Sequence, residues 1–302
     1  MASSLNIVEG FKGPFVDKNG RIIPRVIKGE VRNPSNIFSL KQPQMETGAD
    51  YAERLDRFLK AFQQYPILSA DGSKELISKV QDNKNIRNLL QALKAFQQYP
   101  ILFATGFRNK SEELISKLRD NKDIRNLLQG VYLPVILPQL ESADYGKALE
   151  EIFLPTAKSS YEREFPGNKF YNYQNDELAG KVVIVPGSRQ ERLIKEIVKS
   201  FIVAIYFPNP FQGFSVLASR ERITTLPESL ILSGGFEALS AIAMYPDILS
   251  AFRSPGYDLS ALSWRTKDYS LCLRTGANRF FLRLSGPLAR ADGTDSSGLL
   301  YF

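Results

Sequence analysis

The side chains best placed for chemistry lie in VIVPGSRQER, residues 183–192, where a short β-branched run passes through Pro186-Gly187 into a helical pattern. Unpaired amides at a helix start favour an oxyanion, and Ser188, Arg189 and Arg192 would close around a phosphate there. The loop is neither a Walker A loop nor a dinucleotide-binding glycine turn. Ser188 with Glu191 reads equally as a capping box, which needs no ligand. Further basic residues recur at helical spacing: Lys84, Arg87 and Lys94; Lys122 and Arg125; Arg189, Arg192, Lys195 and Lys199. Such stripes suit a nucleic-acid backbone, RNA or DNA, with Tyr65 and Tyr99 available for stacking. The structural alternative is a set of solvated helix faces over core aromatics.

Catalytic chemistry is sparse by comparison. The 302 residues contain no histidine, which removes the usual base near neutral pH and the commonest zinc ligand. A single cysteine, Cys272, cannot build a thiolate cluster, and between Leu271 and Leu273 it reads as a packing residue. Asp292-Gly293-Thr294 has Arg290 where a phosphatase loop needs its nucleophilic aspartate. Neither a Gly-x-Ser-x-Gly elbow nor a Ser-x-x-Lys pair occurs. The sequence designates no catalytic residue, metal ligand or cofactor. An enzyme working through carboxylates or lysines stands third among the readings below.

The elements that must position these residues are organised around an internal duplication. LKAFQQYPIL at 59–68 returns at 93–102, ELISK at 75–79 returns at 113–117, and DNKNIRNLLQ at 82–91 returns as DNKDIRNLLQ at 120–129. The period of about 34 residues is that of tetratricopeptide repeats, whose Trp, Leu-Gly and Tyr signature is missing. Leu55, Phe58, Leu59 and Phe62 form one helical stripe, and Ile86, Leu89, Leu90, Leu93 and Phe96 another. Tyr65-Pro66 and Tyr99-Pro100 are expected to end their helices. The predicted domains are an extended N-terminal arm with a short hairpin at Asn19-Gly20 (1–50), a duplicated helical lobe (51–135), an acidic connector (136–180), and a C-terminal α/β lobe and tail (181–302). Within the last, YSLCLRT and RFFLRLS form a hairpin covered on both faces, and Leu299–Phe302 is an apolar tail able to dock. The expected fold class is α+β, predominantly α: a duplicated helix-pair lobe packed with a C-terminal α/β lobe ending in a β-hairpin.

Charge sharpens the functional expectation. The net charge of +7 divides into +2 for residues 1–50, +5 for 51–130, −4 for 131–180, +3 for 181–205 and +1 for 206–302. No apolar run approaches the roughly 20 residues of a membrane span, and the single cysteine fits a reducing, cytoplasmic compartment. The sequence therefore points to a non-catalytic, self-assembling structural protein, a nucleoprotein-like or shell subunit. It would form homo-oligomers through its terminal arms and bind nucleic-acid backbone through the basic stripes. The rival reading is a helical-repeat adaptor whose basic repeat recognises an acidic protein partner.

Overall fold

Helix α1 (Gly48–Gln63) buries Tyr51, Leu55, Phe58 and Leu59, the apolar stripe legible in its sequence. It belongs to a computed structural model that describes residues 14–26, 28–35, 40–63, 100–140, 144–264 and 268–302. The first repeat copy from residue 64 on, with the helices expected at Ser73–Val80 and Asn85–Gln98 and the stop at Tyr65-Pro66, lies outside the described residues. Helix α2 is described over Pro100–Asp120, so the proline expected to end a helix stands in one. After a 3₁₀ turn (Arg125–Gln129), strand β1 (Leu133–Leu137) runs through Pro134. A proline inside so short an apolar run argues against a central strand. Strand β1 is an edge strand, where a missing ladder donor is tolerated.

The acidic connector is more ordered than expected. Helix α3 (Tyr145–Ala148) passes through a π-helical turn (Leu149–Phe153) into α4 (Leu154–Glu164). Pro155 cannot donate the next intrahelical bond, which accounts for the irregular turn before it. The remaining elements are β2 (Lys169–Asn172), β3 (Val182–Ile184), α5 (Gln190–Ile197), β4 (Ile202–Phe207), α6 (Val216–Ile223), β5 (Leu230–Leu232), α7 (Gly235–Met244), α8 (Pro246–Leu249), β6 (Gly256–Asp258), β7 (Leu262–Trp264), β8 (Leu271–Gly276), β9 (Arg279–Leu284), β10 (Asp295–Ser297) and β11 (Leu299–Tyr301).

Among the described residues eleven strands form three sheets, ordered β1-β4-β11-β5, β10-β6-β8-β9-β2 and β3-β7. The expected predominantly α architecture is therefore corrected to a mixed α/β fold. The error lay in short strands of three to six residues, which show too few alternations to reveal their period. Six apolar residues after an amphipathic helix would also suit its continuation, but Ile202–Phe207 is a strand. Phe214–Ala218 has the composition of a strand, but Ser215 caps α6 there, its Oγ accepting from the Ala218 N–H at 3.1 Å. The hairpin of β8 and β9 forms as expected, in the register Leu271↔Leu284 to Gly276↔Arg279.

One hydrophobic cluster draws on the helical lobe, the connector and the C-terminal lobe alike, including Tyr51, Phe58, Leu149, Tyr161, Phe236 and Leu273. Helix α7 lies at its centre, with every residue from Gly235 to Met244 buried. Arg54 and Asp247 tie α1 to α8 at 2.6 Å, and Arg57 reaches Glu164 of α4 at 2.7 Å.

The described residues of both terminal segments pack on their own chain. Val16 bridges Ile22 across the Asn19-Gly20 turn, where Gly20 has φ +78° and abuts Gly130. The Ile22 N–H donates to the Pro210 carbonyl at 2.8 Å, and Val31 bridges Phe214. At the other end, β11 is an inner strand paired with β4 on one side and β5 on the other. Leu299 and Leu300 are fully buried. Replacing Leu300 by alanine is expected to lower the free energy of unfolding by about 2–5 kcal/mol, the cost of a core truncation. Removing residues 299–302 should abolish the cooperative transition. Urea titrations followed by fluorescence would show it, and a small change in either variant would mean that the tail is peripheral.

Candidate nucleic-acid interface

The sequence-predicted basic residues occupy separate places. Lys84, Arg87 and Lys94 lie outside the described residues. Lys122 and Arg125 are exposed beside the N-terminal hairpin, which Asn126 anchors by donating from Nδ2 to the Val16 carbonyl at 3.1 Å. Lys195 is exposed on α5 and Lys199 in the turn after it, where Lys199 pairs with Glu196 at 2.7 Å. No hydrogen bond or ion pair among the described residues joins the 122–125 set to the 189–199 set.

Arg189 is committed to the fold. Its guanidinium donates to the carbonyls of Pro227, Leu230 and Leu226 at 2.8, 3.0 and 2.8 Å, and it pairs with Glu228 at 3.0 Å. Arg192 adds a bond to the Glu228 carbonyl at 2.8 Å and lies 5.6 Å from the Phe302 ring. Together they latch the loop that leads into β5. Ser188 does not cap α5. Glu191 instead accepts from the Gly187 N–H at 2.8 Å, and the Ser188 Oγ is buried without a partner.

A different set of cations gathers on the five-stranded sheet. Side chains alternate across a strand, so Lys169, Tyr171 and Tyr173 point to one side of β2 and its continuation, and Arg279, Phe281 and Arg283 to the same side of β9. The parallel register Lys169↔Arg279 and Tyr171↔Phe281 places these rows side by side. Phe170, Phe280 and Leu282 fill the opposite, buried face. Lys169, Tyr171, Tyr173, Arg279 and Arg283 are exposed and Phe281 is half-buried.

The rings hold one another in place. Tyr171 and Tyr173 are nearly parallel, 7° apart with centroids at 6.1 Å, and Tyr173 meets Phe281 edge-on at 5.5 Å. Arg279 and Arg283 lie over Phe281 at 5.5 and 5.9 Å, a cation–π arrangement. Arg279 also donates to the Tyr173 hydroxyl at 3.4 Å. None of Lys169, Arg279 and Arg283 makes an ion pair among the described residues. Chemically this is a set of π-faces flanked by guanidinium and ammonium groups.

The same face changes character toward the other edge of the sheet. Phe281 opposes Arg274, and Asp295 lies across β6 at Gly256. There Arg274 pairs with Asp295 and, at 3.8 Å, with Asp292 of the segment before β10. A Cβ on Gly256 would strike the Asp295 carboxylate. Burial pushes Asp258 well above the ordinary carboxyl range, reinforced by the Asp295 charge. Burial likewise raises Asp295 to about 6, against the pull of Arg274. Cys272 sits in the same layer, and burial raises its thiol to about 11.

The sequence reading missed the exposed platform. Its signal was the period-2 alternation of cations and aromatics in KFYNY and RFFLR, obscured because one strand lay in an assumed connector. The other was assumed to be covered on both faces.

Two measurements test this description. Replacing Arg189 by alanine should cost about 2–4 kcal/mol in urea unfolding, since it orphans several carbonyls at once. Lys195→Ala and Lys199→Ala should stay within about 0.5 kcal/mol. The carboxyl pair sets the second. The folded protein holds protons on Asp258 and Asp295 more tightly than the unfolded chain, so stability falls as pH rises from about 4 through 6. Asp258→Asn should lose less stability than the parent across that window. Parallel curves would place the titration elsewhere.

Comparison with protein-family models, with curated protein sequences and with solved structures gave no match.

Proposed function

We propose that this is a non-catalytic, cytoplasmic structural protein that binds single-stranded RNA or DNA on the outer face of its five-stranded sheet. The observation that carries the reading is the aromatic and basic platform of Tyr171, Tyr173 and Phe281 framed by Lys169, Arg279 and Arg283. Every base offers a π-face, so stacked aromatics bind with little sequence preference, while the flanking cations track the phosphates. A single strand suits this surface better than a duplex, whose bases are already stacked. The exposed Lys122 and Arg125 would extend the backbone contact only if the strand wrapped around the molecule.

Self-association belongs to the same reading. Copies bound along one strand would lie side by side, and contacts between them would replace the exchange of terminal arms. The arms' described residues support that change, because they are already engaged within one chain.

The test is binding of a fluorescent oligonucleotide of about 15 nucleotides, measured by anisotropy across a salt series. Affinity should fall as salt rises, with a logarithmic slope of about 0.7 per phosphate contact. Tyr171→Ala and Tyr173→Ala should each weaken binding by about 1–3 kcal/mol. Arg279→Glu should lower both the affinity and the salt slope. These side chains are on the surface, so the variants should keep the parental unfolding curve. Salt-insensitive binding, or affinity unchanged in all three variants, would sink the proposal. Light scattering with the 260/280 nm absorbance ratio, recorded on the bound species, would show whether copies assemble on longer strands.

A further inference from the structure

A cavity of about 370 Å³ opens where the loop before α5 faces α6 and the segment leading into β7. This is within the ordinary range for small-ligand pockets. Val185, Ile223 and Leu232 supply apolar wall, and Ser188, Gln190 and Arg220 supply the polar points.

Arg220 is the charged group of this cavity with capacity to spare. Its Nε donates to the Ser260 carbonyl at 2.7 Å, and its Nη2 to the Leu262 carbonyl at 2.5 Å. These bonds fix the guanidinium plane against the strand segment. Nη1 has no hydrogen-bond partner and the side chain makes no ion pair among the described residues. Burial lowers its pKa to about 10, so it remains a cation at neutral pH. Asp258 acts on this charge from a distance, but burial outweighs its attraction, and a bound anion would supply the direct partner that the guanidinium lacks.

Two further polar groups await partners. Gln190 is only 1% exposed, and its Nε2 donates to Glu237 at 2.9 Å while its Oε1 has no partner. The Ser188 Oγ is likewise buried and unpartnered. Buried polar atoms are rarely left unmatched in a folded protein. Arg189 and Glu228 are already paired with each other beside the cavity, so neither competes for the ligand.

We propose that this cavity binds a small organic oxyanion with an apolar body, its acid group on Arg220 and Ser188. A hydroxyl next to the acid would donate to the Gln190 Oε1. The apolar walls would take a short aliphatic or aromatic body. The site is independent of the nucleic-acid platform, which lies on a different sheet face.

Isothermal titration of the full chain with mandelate, hexanoate and inorganic phosphate, in the absence of nucleic acid, tests the proposal. Mandelate should bind most tightly, with hexanoate weaker and phosphate at least tenfold weaker than mandelate. Ser188→Ala should reduce mandelate affinity about fivefold or more without changing the unfolding curve, since that hydroxyl holds nothing in the fold. Arg220→Lys should reduce it at least tenfold, with circular dichroism confirming that the variant is folded. Tyr171→Ala should leave mandelate binding intact. Absence of binding by all three anions at 10 mM, phosphate binding as tightly as mandelate, or full affinity in both site variants would overturn it.

Discussion

The four-stranded sheet is complete only when Leu299–Tyr301 lies between β4 and β5. That pairing is the constraint on which the rest of the structure depends. Two residues upstream the same segment forms β10 at the edge of the five-stranded sheet, so seven consecutive residues bind two sheets together. Gly298 is the hinge between them. A Cβ there would come within 2.6 Å of the Tyr206 hydroxyl, so only glycine allows the segment to cross at this distance. The pairings are non-local, which places their loop-closure cost late in folding.

A second dependence runs through the start of α7, whose first amides are buried and must find acceptors. Glu237 accepts from the Gly234 N–H and from Gln190 Nε2, both at 2.9 Å. The Tyr145 hydroxyl accepts from the Gly235 and Phe236 N–H groups at 2.9 and 3.2 Å, with its ring stacked on Phe236 at 3.9 Å. Two distant segments and the helix's own Glu237 thus secure one helix start. Burial raises the Glu237 pKa because the carboxylate has no cation beside it. Gln190 joins this cap to the Arg220 cavity, so a ligand there would touch a residue that also secures the central helix.

How much of this could be read beforehand depended on whether the signal was local. The Asn19-Gly20 turn, the α1 stripe and the β8–β9 hairpin are short-range patterns, and each was legible. Ile202–Phe207 was not, because six apolar residues following an amphipathic helix fit either period. Pro134 hid β1, since an edge position cannot be known before the sheet order is known. The cationic stripe at 189–199 could be read as chemistry but not as its use. Arg189 serves five acceptors contributed by residues 224–230, a loop that no spacing in the sequence places beside it.

The two ends of the five-stranded sheet show how one surface can carry both stability and recognition. Arg274, Arg279 and Arg283 project to the same face from neighbouring strands, yet among the described residues only Arg274 of the three forms ion pairs, while Arg283 acts on Asp258 and Asp295 from further off. The Arg274 charge offsets Asp292 and Asp295, and the half-buried cluster is tolerated because its charges are opposite. On the adjacent strand β9, Phe281 replaces the carboxylate as the neighbour of the guanidinium groups. A π-face holds a cation in position without neutralising it. The charge therefore remains available to an incoming phosphate, which the Asp–Arg pair could not offer.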